Sequence, residues 1–200
     1  PCSFINIGGI SNISILNNRG KLTAHDIGPG MCLLDQFVYF KKKQMYDKNG
    51  EYSSRGKINK SVLRQLLNDK YFKKNPPKSL DRKYFAFNPV VKINFYDACA
   101  TLSAFTAYAI INDLKKIDNQ IIILSGGGTK NKFILNLIKK NFGNRVILID
   151  EIYGDAKFIE SQAFAYLGIR RVKNLPISFP GTTGVKNPLT GGKITKLSIF

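Results

Sequence analysis

The sequence predicts a mixed α/β sheet flanked by helices. An N-terminal series of short apolar runs separated by glycine and asparagine turns reads as an antiparallel meander. Further along, a strand, a glycine loop, a helix and a second strand follow one another, which is a βαβ unit and makes part of the sheet parallel. Composition agrees: 200 residues, 44% hydrophobic and 22% charged, suit one core or two small ones and exclude wholesale disorder.

Each element has a local reason. Ser3 to Ile7 is a short apolar strand, and after the Gly8-Gly9 break Asn12 to Leu16 alternates as its hairpin partner. Asn17-Asn18-Arg19-Gly20 tolerates left-handed backbone, so a third strand runs from Lys21 towards Asp26. Gly28-Pro29-Gly30 is expected to break that strand, and Leu33, Leu34, Phe37 and Val38 then recur at helical spacing over Met31 to Lys42. Residues 44–57 are polar and contain the turn Tyr46-Asp47-Lys48-Asn49-Gly50, a loop able to cover a ligand. Val62, Leu63, Leu66 and Leu67 mark another helix, ended by Pro76-Pro77. Ala98, Leu102, Phe105, Ala109 and Leu114 place a long amphipathic helix, its small residues implying close packing. Ile121 to Leu124, Ser125 to Thr129, Asn131 to Asn141 and Val146 to Ile149 form the βαβ unit. Gly154-Asp155 offers an N-cap for a helix over Lys157 to Arg170, before a tail rich in Pro, Gly and Thr from Pro176.

Several function classes are excluded or disfavoured. The apolar runs fall far short of the roughly 20 residues that cross a bilayer, and no secretory leader pattern opens the chain, so the expectation is a cytoplasmic protein without a membrane partner. Cys2, Cys32 and Cys99 are widely spaced with no CxxC, which argues against structural zinc and a disulfide framework, and no metal-ligating residue is assigned. The formal charge of +18 admits nucleic acid or an anionic surface as a partner of a non-catalytic basic module. The lysines are scattered, though, and their one dense run, Lys41-Lys42-Lys43, ends a helix, where the macrodipole favours it. Nucleic acid is therefore disfavoured.

Chemistry is expected where three glycine loops, Gly8-Gly9, Gly28-Pro29-Gly30 and Gly126-Gly127-Gly128, follow strands. Lacking Cβ atoms, their amides can approach phosphate oxygens, and in α/β sheets the ligand crevice lies beyond the carboxyl ends of the strands. Asp26 ends a strand just before Gly28, which would aim it at the same crevice as a general base; an Asx turn bonding the amides ahead of it is the plainer alternative. Asn131 stands where a dinucleotide motif would carry its third glycine. Glu160 could bond a polyol or simply be a solvated helix residue. His25, the only histidine, points to the opposite face from Asp26, which discounts a Ser-His-Asp triad.

Asn6-Ile7-Gly8-Gly9-Ile10-Ser11-Asn12, Asp26-Ile27-Gly28-Pro29-Gly30, Tyr46-Asp47-Lys48-Asn49-Gly50, Pro77-Lys78-Ser79 and Ser125-Gly126-Gly127-Gly128 occur in that order. Glu160-Ser161-Gln162-Ala163-Phe164-Ala165-Tyr166 and Pro180-Gly181-Thr182-Thr183-Gly184 continue the series. Together they resemble the anhydro-N-acetylmuramic acid kinase family over nearly the whole chain. The resemblance implies an actin-like (RNase H-like) sugar-kinase fold, with ATP and Mg²⁺ bound between two domains. It implies a small amino-sugar substrate, whose 1,6-anhydro bridge is opened by water while O6 receives the γ-phosphoryl group, giving N-acetylmuramate 6-phosphate for cell-wall recycling. By residue match Asp26 would activate the water. Gly8, Gly9 and Asn12 would belong to a phosphate loop, Gly126, Gly127, Gly128 and Asn131 would lie near adenosine, and Gly28, Gly30 and Glu160 would hold the sugar. Two positions depart from the family pattern, Ile27 replacing a threonine and Met31 an asparagine. The family's Gly-Thr-Ser-x-Asp-Gly loop is not in these residues. Residues 1–200 are accordingly expected to be the C-terminal kinase domain with the N-terminal phosphate-loop domain absent, nearly inactive alone, and either a truncated or degraded gene product or one piece of a split enzyme whose partner is a separate N-terminal domain; a homodimer is left open.

Overall fold

A computed structural model describes residues 1–118, 121–153 and 158–195, apart from the side chain of Glu160. Strands β1 (Cys2–Ile7), β2 (Ile10–Leu16) and β3 (Leu22–Pro29) form the antiparallel meander. Strand β4 (Ile121–Ser125) lies parallel to β1, and β5 (Val146–Leu148) lies parallel to β4. The order β3-β2-β1-β4-β5 makes a mixed sheet flanked by helices, as expected.

The period of two along the strands sorts their side chains. In β1, Ser3, Ile5 and Ile7 are buried while Phe4 and Asn6 face out. The inner face, with Ile13, Ile27, Ile122 and Leu124, packs on helices α4 (Phe95–Leu114) and α5 (Lys132–Phe142). A second cluster forms where α1 (Cys32–Lys42) and α3 (Lys60–Leu67) meet the other side of α4. This position changes the character of α4. Its expected amphipathic stripe is replaced by burial nearly all round, because Ala98, Ala100, Ala104, Ala107 and Ala109 let neighbours approach from opposite sides. Asparagines start three helices: Asn59, Asn94 and Asn131 accept from the amides of Val62, Asp97 and Ile134 at 3.1, 3.0 and 3.2 Å.

Other boundaries also move. Gly28 and Pro29 remain inside β3, opposite Ser11 and Ile10, after a bulge at Ser11/Asn12; the break falls at Gly30 instead. The polar loop contains α2 (Glu51–Arg55), and β5 stops one residue early to begin α6 (Ile149–Tyr153). Helix α7 spans Ile159–Val172, and the expected cap at Gly154-Asp155 lies outside the described residues. α7 leaves Phe164, Tyr166, Ile169 and Val172 exposed. The tail forms α8 (Pro180–Thr183) against β3.

Candidate functional site

The Gly8-Gly9 turn between β1 and β2 is held by the segment that follows β3. The amides of Gly30, Met31 and Cys32 donate to the carbonyls of Gly9, Gly8 and Gly9 at 3.0, 2.8 and 3.2 Å. Such contact requires Gly30 to be bare, since a Cβ there would sit 2.1 Å from the Gly8 carbonyl oxygen. Across the turn, Gly128 is equally confined, its Cβ position 2.2 Å from Ile7 Cγ2, and Gly126 adopts a left-handed φ of 88° against Asn6. Gly28 packs on Phe72 and Ala109. The packing of Gly28, Gly30, Gly126 and Gly128 therefore accounts for their missing side chains without a ligand. Gly8, Gly9 and Gly127 differ: no atom crowds their Cβ positions closer than 3.4 Å, and all three border a cavity of about 570 Å³.

That cavity is also lined by Met31, Asp35, Tyr46–Asn49, Lys130 and Asn131. Two of its polar atoms are notable. The buried Oδ1 of Asp35 and Nδ2 of Asn131 have no hydrogen-bond partner among the described residues, an acceptor and a donor of the kind that a bound polar molecule satisfies. Asn131 Oδ1 is already committed to capping α5. Burial pushes the Asp35 carboxyl up to about 6, with Arg82 opposing and Asp47 reinforcing the rise. Asp47 itself is structural: its carboxylate accepts from the amides of Tyr52 and Ser53 and from the Ser53 hydroxyl at 2.8, 3.0 and 2.7 Å. Lys48 and Lys130 supply positive charge at the rim. Uncrowded glycines, two lysines and an unmet amide donor can receive a polyanion carrying a polar ring.

Asp26 lines a second cavity, of about 580 Å³, with Asn12, Lys78, Ser79, Thr182, Thr183 and Gly184. The chain therefore does not gather its glycine loops and Asp26 into one hollow. Nor is Asp26 an Asx turn. Its Oδ2 accepts from the amide of Leu80 at 2.7 Å, its own amide donates to the Lys78 carbonyl at 3.0 Å, and the Tyr71 hydroxyl donates to its carbonyl at 2.7 Å. The Pro77-Lys78-Ser79 motif is thus strapped to the free edge of β3. A polar row crosses the outer sheet face from the Asp26 cavity, where Asp26 pairs with Asn12, Asn12 with Asn6, and Asn6 with Ser125. Asp26 and Asn6 stand two strand spacings apart, roughly 10 Å.

His25 is buried on the face opposite Asp26, as the alternation requires. Glu160 falls on α7. Ile27 is 1% exposed and packed in the inner core, whereas Met31 borders the first cavity. Residue patterns alone did not single out Asp35, Lys48 or Lys130. For Asp35 a signal existed: an acid wedged between Leu34 and Phe37 on the apolar stripe of α1.

The family model for anhydro-N-acetylmuramic acid kinase matches residues 2–196. The chain belongs to the anhydro-N-acetylmuramic acid kinase family. It is 37% identical over 198 residues to the curated anhydro-N-acetylmuramic acid kinase of Phenylobacterium zucineum, covering 98% of this chain and 54% of that protein. With the Caulobacter vibrioides enzyme it shares 38% over 199 residues, again 98% and 54%. The chain thus spans about half the length of the curated relatives it matches. Among solved structures, the activator of 2-hydroxyisocaproyl-CoA dehydratase from Clostridium difficile with bound ADPNP aligns at TM-score 0.47 and 14% identity, covering 74% of this chain and 53% of that one. No helix among the described residues is long and apolar enough to cross a membrane, and those residues form no cluster of three or more His, Cys, Asp or Glu able to hold a metal ion.

Proposed function

We propose that residues 1–200 are the C-terminal domain of an ATP-dependent kinase that opens the anhydro bridge of 1,6-anhydro-N-acetylmuramic acid and phosphorylates O6. One observation carries the nucleotide part: the unpartnered Asn131 Nδ2 and Asp35 Oδ1 border the same cavity as the uncrowded Gly8, Gly9 and Gly127. ATP fits this donor set, with phosphates towards the Gly8-Gly9 amides and Lys48 or Lys130, and a polar nucleoside group at Asn131. ATP with Mg²⁺ supplies the phosphoryl group and the charge that steadies it in transfer.

Asp26 has the complementary task. Its carboxylate takes a proton from the water that adds to the bridgehead carbon; the bond from that carbon to O6 breaks, and the freed O6 accepts the phosphoryl group. Leu80 and Tyr71 hold Asp26 in place for this step. The row Asp26, Asn12, Asn6 gives the sugar polar partners between acid and nucleotide.

The outer face that carries this row is open, with Phe4 and Ile121 each 43% exposed. A second domain bearing the family's Gly-Thr-Ser-x-Asp-Gly phosphate loop would cover such apolar surface and complete the cleft. The chain should be mixed with Mg-ATP and 1,6-anhydro-N-acetylmuramic acid, alone and with an N-terminal family domain carrying Gly-Thr-Ser-x-Asp-Gly. Sugar phosphate is expected only in the complemented reaction, and its absence there refutes the proposal.

A further inference from the structure

A third hollow, of about 390 Å³, opens on the inner side of the strap that holds Asp26. Lys73, Lys74 and Lys78 line it from residues 70–78, and Asp113 and Lys116 line it from the end of α4. Four lysines therefore face a single carboxylate, which is already used: Asp113 Oδ2 lies 2.8 Å from His25 Nε2, and Oδ1 lies 3.7 Å from Lys116 Nζ. Burial alone would raise the Asp113 carboxyl, yet the His25 hydrogen bond and charge, with Lys116 and Lys78, bring it below its ordinary value. An ionised carboxylate only accepts, so the proton in the shared bond sits on His25 Nε2. The other ring nitrogen, Nδ1, is buried and has no hydrogen-bond partner among the described residues.

The lysines are held close together at a cost. Lys74 and Lys78 both approach the ring of Tyr71, with Nζ to centroid distances of 5.9 and 4.6 Å. Burial pushes the Lys78 ammonium down, Asp113 opposes this, and Lys116 and Lys74 add to it. Four ammonium groups thus share one carboxylate that His25 already engages, and a compact multivalent anion supplies the balancing charge.

We propose that the hollow between Lys74, Lys78 and Lys116, backed by His25, binds a phosphate group. Free phosphate and a small phosphorylated metabolite share the recognised chemistry. The site is separate from the glycine-lined cavity but meets the Asp26 cavity at Lys78 and His25, which line both.

His25 is the chain's only histidine, so its imidazole ¹⁵N signals are a single-residue probe. Sodium phosphate titrated into the 200-residue chain, with chloride balancing ionic strength, should shift those signals saturably. In a Lys74→Gln/Lys116→Gln variant the affinity should fall about tenfold. A Lys60→Gln/Lys140→Gln variant, which removes equal charge from exposed sites elsewhere, should retain it. Melting curves of both variants check folding, since all four lysines are exposed. Glucose 6-phosphate run in parallel separates the sources: tighter binding assigns a phosphorylated metabolite, equal binding free phosphate. A linear, unsaturated shift, or equal losses in the two variants, would overturn the proposal in favour of diffuse attraction to a +18 surface.

Discussion

Replacing Gly30 with alanine tests how the Gly8-Gly9 turn is held. The new Cβ would lie 2.1 Å from the Gly8 carbonyl oxygen, about 0.9 Å inside the 3.0 Å limit below which real Cβ contacts essentially vanish. The turn must retreat by that amount, because the obstacle is backbone and cannot rotate away. Three hydrogen bonds of 2.8 to 3.2 Å cross this contact, and each would stretch past 3.5 Å. At about 1 kcal/mol net per bond, the loss is roughly 3 kcal/mol. For a chain of this size that lowers Tm by roughly 6 to 12 °C. Gly127→Ala is the control, with no atom within 4 Å of its Cβ position, and should change stability by less than about 0.5 kcal/mol. The same methyl group enters the cavity, so ATP affinity should fall in that variant while Tm stays put. Thermal melts of both proteins, with ATP titrations of the Gly127 variant, read out the pair. A Gly30→Ala protein melting like the parent would refute the clamp.

Asp35 should make the fold pH-sensitive. Because its pKa is raised from 3.8 to about 6, the unfolded chain releases this proton first as pH rises, and stability falls between those values. The full gap converts to about 3 kcal/mol, reduced to about 1 to 2 for a partly exposed group. Asp35→Asn should therefore be more stable than the parent above pH 6 and should lose that decline, as urea titrations at pH 4 and pH 7 would register. Ser53→Ala removes a buried hydroxyl bonded to Asp47 Oδ2 and Ser103 Oγ, both at 2.7 Å, and should cost about 1 to 3 kcal/mol by the same method. Asp26→Asn retains an oxygen for the Leu80 amide, so its melting should match the parent while turnover in the complemented reaction falls roughly 10² to 10⁴-fold. Equal turnover would remove Asp26 from proton transfer.

Much of the fold was legible because it rests on local signals. The alternation through Ile5 and Ile7, the turn at Asn17 to Gly20, and the Gly126–Asn131 link between β4 and α5 each belong to a few consecutive residues. Where expectation failed, a distant partner had intervened. Gly28 and Pro29 look like a strand break until β2 supplies a bulged partner that keeps them in the sheet. The amphipathic stripe of α4 is real in sequence, but packing from the sheet and from α1 and α3 buries its other side too. Asp35 illustrates the same limit: its place between Leu34 and Phe37 marks it, but the cavity it borders is completed by Gly127, Lys130 and Asn131 from far along the chain.

Residue order alone determined the kind of sheet, the positions of the glycine turns and the family, because strand periodicity, turn chemistry and motif order are properties of neighbouring residues. Tertiary structure decided which glycines border open space and which are wedged against backbone, and it separated Asp26 from the glycine cavity by the width of two strands. Those outcomes depend on distances between segments remote in sequence, and such distances exist only once the strands have paired and the helices have packed upon them.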